Sequence, residues 1–308
     1  MKKNILVNFI FPEHENLPEV AYYKSFLQKK GIICKHNLKK IDMDNIYSYY
    51  EWHILGTHLK HHNRFFCNIT ASKKTLIHEY ASLSTGKYFF ISKVKNFIKK
   101  TFNHTPDYYL FLNNTIKDNI SKKNIDHIKY EFRDMAVPEH WKKDNKTYDY
   151  DYDYDYAYVG SLSSERKITA LLDNAILKQK KILLIGEPPI ELIERYKYNK
   201  NIFFEGKVKH DNVPNLLKKV KTCINYIPNE YPYNVQTSTK MLEYLFLEKD
   251  ILSTKYNWVI NFLIEKKIEF EYLDDDFIYI EGKNQSSKIP TWNKILENSK
   301  IIKKIINE

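Results

Sequence analysis

Glycine is scarce in this chain of 308 residues, at seven in all. None lies in the turn PEHENLPE that follows the first apolar run, so a Gly-rich dinucleotide fingerprint is absent there. Cysteine is scarcer still. Cys34, Cys67 and Cys223 are an odd number without CxxC spacing, which argues against a disulfide framework or a zinc site and for a reducing compartment. Long apolar runs are missing too. The opening MKKNILVNFI meets Pro12 and Glu13 too early for a signal-peptide core, and no later window reaches the ~18 apolar residues of a membrane span. A soluble, cytoplasmic protein is the expectation. His58, His61 and His62 lack an HExxH arrangement and a nearby carboxylate or cysteine, so a solvated loop is favoured over a metal site.

What is present suits a globular protein: 43% hydrophobic and 28% charged residues, with length enough for two cores. Charge is uneven. Residues 1–147 carry the whole formal net charge of +11, and residues 148–308 balance. Ten of the eleven histidines lie in the first part; the exception is His210. This asymmetry predicts two domains with different partners, the first facing something anionic, whether nucleic acid, an acidic lipid surface or a phosphorylated carrier.

Asn4–Phe11 reads as a buried parallel strand, followed by a helix over Glu19–Lys30, which stops at Gly31, and a strand at Ile32–Lys35. Further strands are predicted at Trp52–Leu55, at the segment ending in TLIHEYASLS, and at Tyr108–Asn113. His78 and Glu79 are placed just past a strand's C-terminal end, where open α/β sheets hold ligands, although a histidine bonded within a loop is the simpler reading. The helix FFISKVKNFIKKTF has Ile91, Val94, Phe97, Ile98 and Phe102 on one side and lysines around the flanks. It suits an anionic membrane or an ordinary core-facing role, and the core-facing role is preferred.

Residues 148–156 read YDYDYDYDY. Their Asp-x-Asp triplets invite a metal site at Asp151 and Asp153, but a register-free ladder does not fix one carboxylate pair, so an extended linker is expected. Asp274–Asp276 are read as a loop for the same reason. Strands and helices then alternate: strand Ala157–Val159, helix Ser164–Lys178, strand Lys181–Ile185, helix Ile190–Tyr196, strand Asn201–Glu205, helix Val213–Val220. This rhythm implies a parallel sheet with right-handed crossovers. Gly160, Gly186 and Gly206 each end a strand, where a ligand can approach the backbone.

Thr222–Thr254 holds the most informative helix. Its strand Thr222–Ile227 leads through a polar loop to an amphipathic helix over Ser238–Glu248, with Met241, Leu242, Leu245 and Phe246 on one face. The first turn holds Thr237, Ser238, Thr239 and Lys240 but no acid. A lysine at the positive end of a helix dipole is unfavourable unless an external anion, typically a phosphate, sits there. The alternative is a surface pair between Lys240 and Glu243.

Two Rossmann-like halves joined by a polar linker resemble the GT-B fold of nucleotide-sugar glycosyltransferases. The likeness runs through YVGSLSSERK, ILLIGE, NIFFEGKV, VPNLLKKVKTCINYIP and TSTKMLEYLFLEKDILST, and is closest to the family-4-like retaining members. It implies an α/β fold of two Rossmann-like domains facing across a cleft. The domains are an acceptor domain at 1–147, the linker 148–156, a donor domain at 157–288 and a helix at 289–308 returning to the first domain. It implies diphosphate contacts from Lys167, Lys240 and the Ser238 and Thr239 amides, with Arg166 standing in for an arginine that is here Ser161. Close approach falls to Gly160 and Gly186, nucleobase contacts to the Gly206, Lys207 and Val208 backbone, and the ribose hydroxyls to Glu243. The family's second glutamate position holds Val235 instead, for which Glu230 or Gln236 can substitute. His78 matches the family's acceptor-domain histidine near the transferred sugar.

The resemblance implies transfer from a UDP- or GDP-sugar to a glycan or lipid-linked saccharide, with retention and without metal or cofactor. Fixed cations would stabilise the departing nucleotide, and domain closure would orient the acceptor. An anionic membrane surface is a possible partner of the basic half; nucleic acid is not expected. Two other readings remain: a metal-dependent Asp-x-Asp transferase, and a basic nucleic-acid-binding protein without catalysis.

Overall fold

In the computed structural model the chain divides into two compact units, Met1–Met135 with Thr291–Glu308, and Ala136–Pro290. Residues 4–12, 17–40, 46–55, 66–84, 89–121, 128–144, 152–230 and 233–308 are described. The three histidines at 58, 61 and 62, and the Tyr–Asp run before Tyr152, lie outside them.

The first unit runs β1 (Asn4–Ile10), α1 (Pro18–Lys29), β2 (Ile33–His36), β3 (Ile46–Ile54), β4 (Lys73–Tyr80), α2 (Phe89–Phe102), β5 (Tyr108–Phe111), α3 (Asn114–Ile120) and β6 (Lys129–Phe132). Its sheet has the order β2-β1-β3-β4-β5-β6, parallel throughout. Strands buried on both faces explain the near-continuous apolar runs. His78 lies inside β4, paired across from His53, and is fully buried, rather than standing past the strand end. Glu79 beside it is also buried and accepts hydrogen bonds from Tyr23 and Trp52 and a charged contact from Arg133. The reason is length: β4 continues through Tyr80, because the apolar and aromatic neighbours of His78 keep the backbone in the sheet.

Helix α2 corrects the core-facing expectation. Its inward stripe is polar, Ser92, Asn96 and Lys99, and its apolar side faces solvent.

The second unit runs β7 (Tyr154–Val159), α4 (Ile168–Leu172), β8 (Ile182–Ile185), α5 (Ile190–Tyr196), β9 (Ile202–Gly206), α6 (Val213–Leu217), β10 (Val220–Asn225), α7 (Thr239–Phe246), β11 (Asp250–Thr254), α8 (Asn257–Lys266), β12 (Glu271–Tyr272) and β13 (Phe277–Ile280). The sheet order is β12-β13-β11-β10-β7-β8-β9, parallel except where β13 runs against β11 and β12. Strand order reverses between β7 and β10, the switch point where open α/β sheets place ligands. The Tyr–Asp repeat is not linker to its end: Tyr154–Tyr156 already belong to β7, and the Asp155 carboxylate accepts the Lys181 amide.

Two helices are shorter than their periodicity predicts. Lys167 adopts a left-handed φ of 51°, incompatible with an α-helix, so the stretch after Gly160 is a 3-10 turn followed by α4. The C-terminal stretch, in the first unit, breaks into α9 (Trp292–Asn298) and α10 (Lys300–Asn307). Ser299 is extended, caps the Ile302 amide and donates to Glu131, whose carboxylate also accepts from the Lys300 amide. An acid at the first turn of α10 complements its dipole.

The glycines at the ends of β7 and β8 pack against each other. A Cβ on Gly186 would lie 2.0 Å from the Gly160 carbonyl oxygen, at a φ of 155°. Gly186→Ala is therefore expected to lower unfolding free energy by more than about 2 kcal/mol, because the clash is with backbone that cannot swing aside. Gly206 meets nothing within 4 Å, and its alanine variant has only the φ of 80° to resist it, a cost of about 1 kcal/mol. Urea unfolding of the two variants side by side checks this; equal losses would contradict it.

Candidate functional site

The sequence that leads into α7 builds a helix start with fixed geometry. The Ser238 hydroxyl accepts the Met241 amide at 3.3 Å and donates to Asn225 at 2.7 Å. Asn225, at the end of β10, donates in turn to Ser253 on β11 at 2.9 Å. Met241, Leu242, Leu245 and Phe246 bury the apolar face beneath. The hydroxyl of Ser238 is thus engaged as a structural cap. Thr239 is exposed at the same helix start.

One residue further, Lys240 turns toward the end of β7. Its Nζ donates to the Tyr158 hydroxyl at 3.2 Å and lies 4.3 Å from that ring's centre. A Cβ on Gly160 would stand 3.7 Å from this Nζ, an ordinary contact, so it is the φ of 136° that favours glycine there. The Tyr158 hydroxyl in turn donates a hydrogen bond to the Ser161 carbonyl at 3.1 Å. Burial, and next the charge of Arg166, push the Lys240 ammonium down to about 7, with Glu243 opposing. Arg166 stacks on the Tyr233 ring at 4.7 Å. Among the described residues no carboxylate forms an ion pair with Arg166 or Lys240. Arg166 and Lys240 thus lie within electrostatic reach of each other at the switch point of the sheet, offset by the charge of Glu243.

Lys167 is placed differently. Its exposed ammonium donates to the Glu230 carboxylate, and that hydrogen bond, followed by the charge of Glu230, raises its pKa. Glu230 thus comes from the loop after β10 to the edge of the same cluster. Ser161 is exposed and bonds Ser163 at 3.1 Å. Gly206 ends β9 with open space beside it, and Val208 lies half-buried in the irregular loop that follows.

Glu243 lies three residues beyond Lys240, about 4.5 Å further along the helix axis. Its Oε1 is 2.7 Å from His210 Nε2, and the pair is largely buried. Burial lowers the His210 pKa, but the hydrogen bond and charge of Glu243 outweigh it, so the net shift is upward. The imidazole lies 4.6 Å from the Trp141 ring, itself buried. His210 and Trp141 were not singled out from the sequence. The one signal available was that His210 stands alone in the second half.

The structure therefore brings Gly160, Arg166 and Lys240 together near the start of α7, with Glu243 one turn further along that helix and Lys167 paired to Glu230. His78 belongs to the first unit, buried between His53 at 5.4 Å and Tyr109 at 6.3 Å. Asp153, of the Asp-x-Asp reading, lies at the opposite, N-terminal end of β7, with a carboxylate oxygen 3.9 Å from the Lys219 ammonium. The described residues contain no group of three or more His, Cys, Asp or Glu placed to hold a metal ion.

No protein-family model matches the chain, and no curated protein does. Solved structures do. A sucrose-phosphate synthase from Thermosynechococcus elongatus matches with a TM-score of 0.55 at 10% identity, over 86% of this chain and 85% of that one. A mutant of T4 phage BGT in complex with UDP-glucose matches with a TM-score of 0.50 at 12% identity, over 98% and 93%. The fold is accordingly that of GT-B glycosyltransferases, two Rossmann-like α/β domains.

Proposed function

We propose that the chain is a glycosyltransferase that takes its sugar from a nucleotide diphosphate sugar, UDP- or GDP-linked, and passes it to a glycan or lipid-linked saccharide. The observation that carries this reading is the pair of basic residues Arg166 and Lys240, neither in an ion pair among the described residues, at the Gly160 end of β7. A diphosphate fits that charge, and a ribose on Glu243 lies one helical turn away, the order in which a nucleotide presents its parts. The fold adds weight by analogy, since both matched structures belong to glycosyltransferases.

In this mechanism the departing nucleotide develops negative charge on its terminal phosphate. Lys240, Arg166 and the amides at the start of α7 stabilise it in place. Lys167 joins them when the donor competes for it with Glu230. Glu230, released, is placed to hold hydroxyls of the sugar, the part that the missing glutamate at Val235 leaves open. The basic first unit receives the acceptor, with His78 supporting its wall from within β4 rather than reaching the sugar. Retention of configuration follows the family-4-like resemblance. Transfer without metal is supported by the position of Asp153, a strand's length from the cation pair, about 20 Å over six residues.

A thermal-shift panel of UDP-, GDP-, CMP- and dTDP-sugars, followed by turnover in EDTA, tests the reading. A rise in Tm with one nucleotide class and undiminished turnover in chelator are expected. No shift with any sugar nucleotide would sink the donor site; full loss of turnover in EDTA would return the metal-dependent alternative.

A further inference from the structure

Helix α2 is built with its polar side inward. Ser92, Asn96, Lys99 and Asn103, the last just beyond its end, recur at helical spacing and are 2–5% exposed. Asn96 accepts the Ser84 amide at 3.0 Å, and Asn103 donates to the Tyr80 hydroxyl at 3.2 Å. These bonds fix the rotation of the helix about its axis. The opposite side therefore presents Phe90, Phe97 and Phe102 to solvent, each 63–73% exposed, with Ile91 and Val94 beside them. A protein that buries asparagine and leaves three phenylalanines outside has a use for the outer face. Lys93, Lys95 and Lys100 border that face, and the helix contains no acid.

We propose that the outer face of α2 docks the protein on an anionic lipid bilayer. The phenylalanine side chains enter the boundary between headgroups and acyl chains, and the bordering lysines meet lipid phosphates. Charge selects this occupant. A second copy of the chain would set Lys93, Lys95 and Lys100 against their own counterparts, and the unit that carries α2 also holds the chain's excess of Lys and Arg. An acidic surface matches both the apolar strip and its basic border. The inference stands apart from the donor site, which lies on other residues.

Flotation of the full-length chain with vesicles tests it. Binding to vesicles containing about one-third phosphatidylglycerol is expected, with at least tenfold weaker binding to pure phosphatidylcholine. The double variant Phe90→Ser/Phe97→Ser should lose binding to the anionic vesicles at least tenfold while keeping its Tm and its thermal shift with UDP. Binding should also fall in 1 M salt, where the screening length is about 3 Å. Equal binding by the variant, or no wild-type binding to anionic vesicles, would overturn the proposal. A phenylalanine-dependent dimer in size-exclusion chromatography without vesicle binding would assign the face to a second copy instead.

Discussion

Glu243→Ala is expected to weaken UDP binding about ten- to a hundredfold without unfolding the protein. A carboxylate that accepts both ribose hydroxyls makes charge-assisted bonds of about 1.5–3 kcal/mol, and alanine leaves those hydroxyls in a partly dry pocket. In the free protein the same carboxylate is held by His210 at 2.7 Å, so it is already aimed, at the cost of exchanging partners when the donor arrives. The exchange gives the prediction a second readout. His210, held above its ordinary value by that contact, should titrate lower in the UDP complex than in the free chain, which NMR of the imidazole reports. An unchanged Kd for UDP in the alanine variant would remove Glu243 from the site.

Lys240→Met should reduce kcat by about a hundred- to a thousandfold, the usual loss when one fixed stabiliser of a developing anion is removed. Methionine keeps the aliphatic stem against Tyr158 and Gly160, so the fold should survive. A pH dependence follows. Lys240 stands at about 7 in the folded protein against 10.5 for an unperturbed lysine. Between these values the unfolded chain binds more protons than the folded one at this residue. Its contribution to stability therefore rises with pH across that window and is least below about 7. A bound diphosphate reverses the balance by favouring the charged form. Binding of UDP at pH 8 should take up a proton at Lys240, and affinity should fall as pH rises above 7. Calorimetry in buffers of different ionisation enthalpy measures the uptake. Arg166, Tyr158 and Glu243 face this group, and His210 titrates nearby in the opposite sense, so the difference between wild type and Lys240→Met isolates the lysine. Identical proton uptake in the two proteins would refute the assignment.

The two variants probe successive turns of one helix, and that helix was readable in advance. The apolar spacing of Met241, Leu242, Leu245 and Phe246 announced α7, and the lysine without an acid in its first turn set that helix apart. Strands such as Ile182–Ile185 were equally plain, because a run buried on both faces needs no partner to be recognised. The alternation of such runs with helices was enough for the α/β class.

Local pattern carries period and polarity, not which side of an element finds the core. Helix α2 has a correct period and the opposite orientation, since its asparagines meet Ser84 and Tyr80, partners that no window of its own sequence contains. His78 has the right neighbours in sequence, but β3 and β5 on either side bury it within β4. Glu243 and His210 are 33 residues apart, Lys167 and Glu230 63, and Lys240 and Tyr158 82. The sequence by itself determined the elements, the two-unit αβ class and the chemical oddity of Lys240. Only the tertiary structure decided which charges meet and which helix face looks outward, because these depend on chain segments that the sheet brings together from far apart.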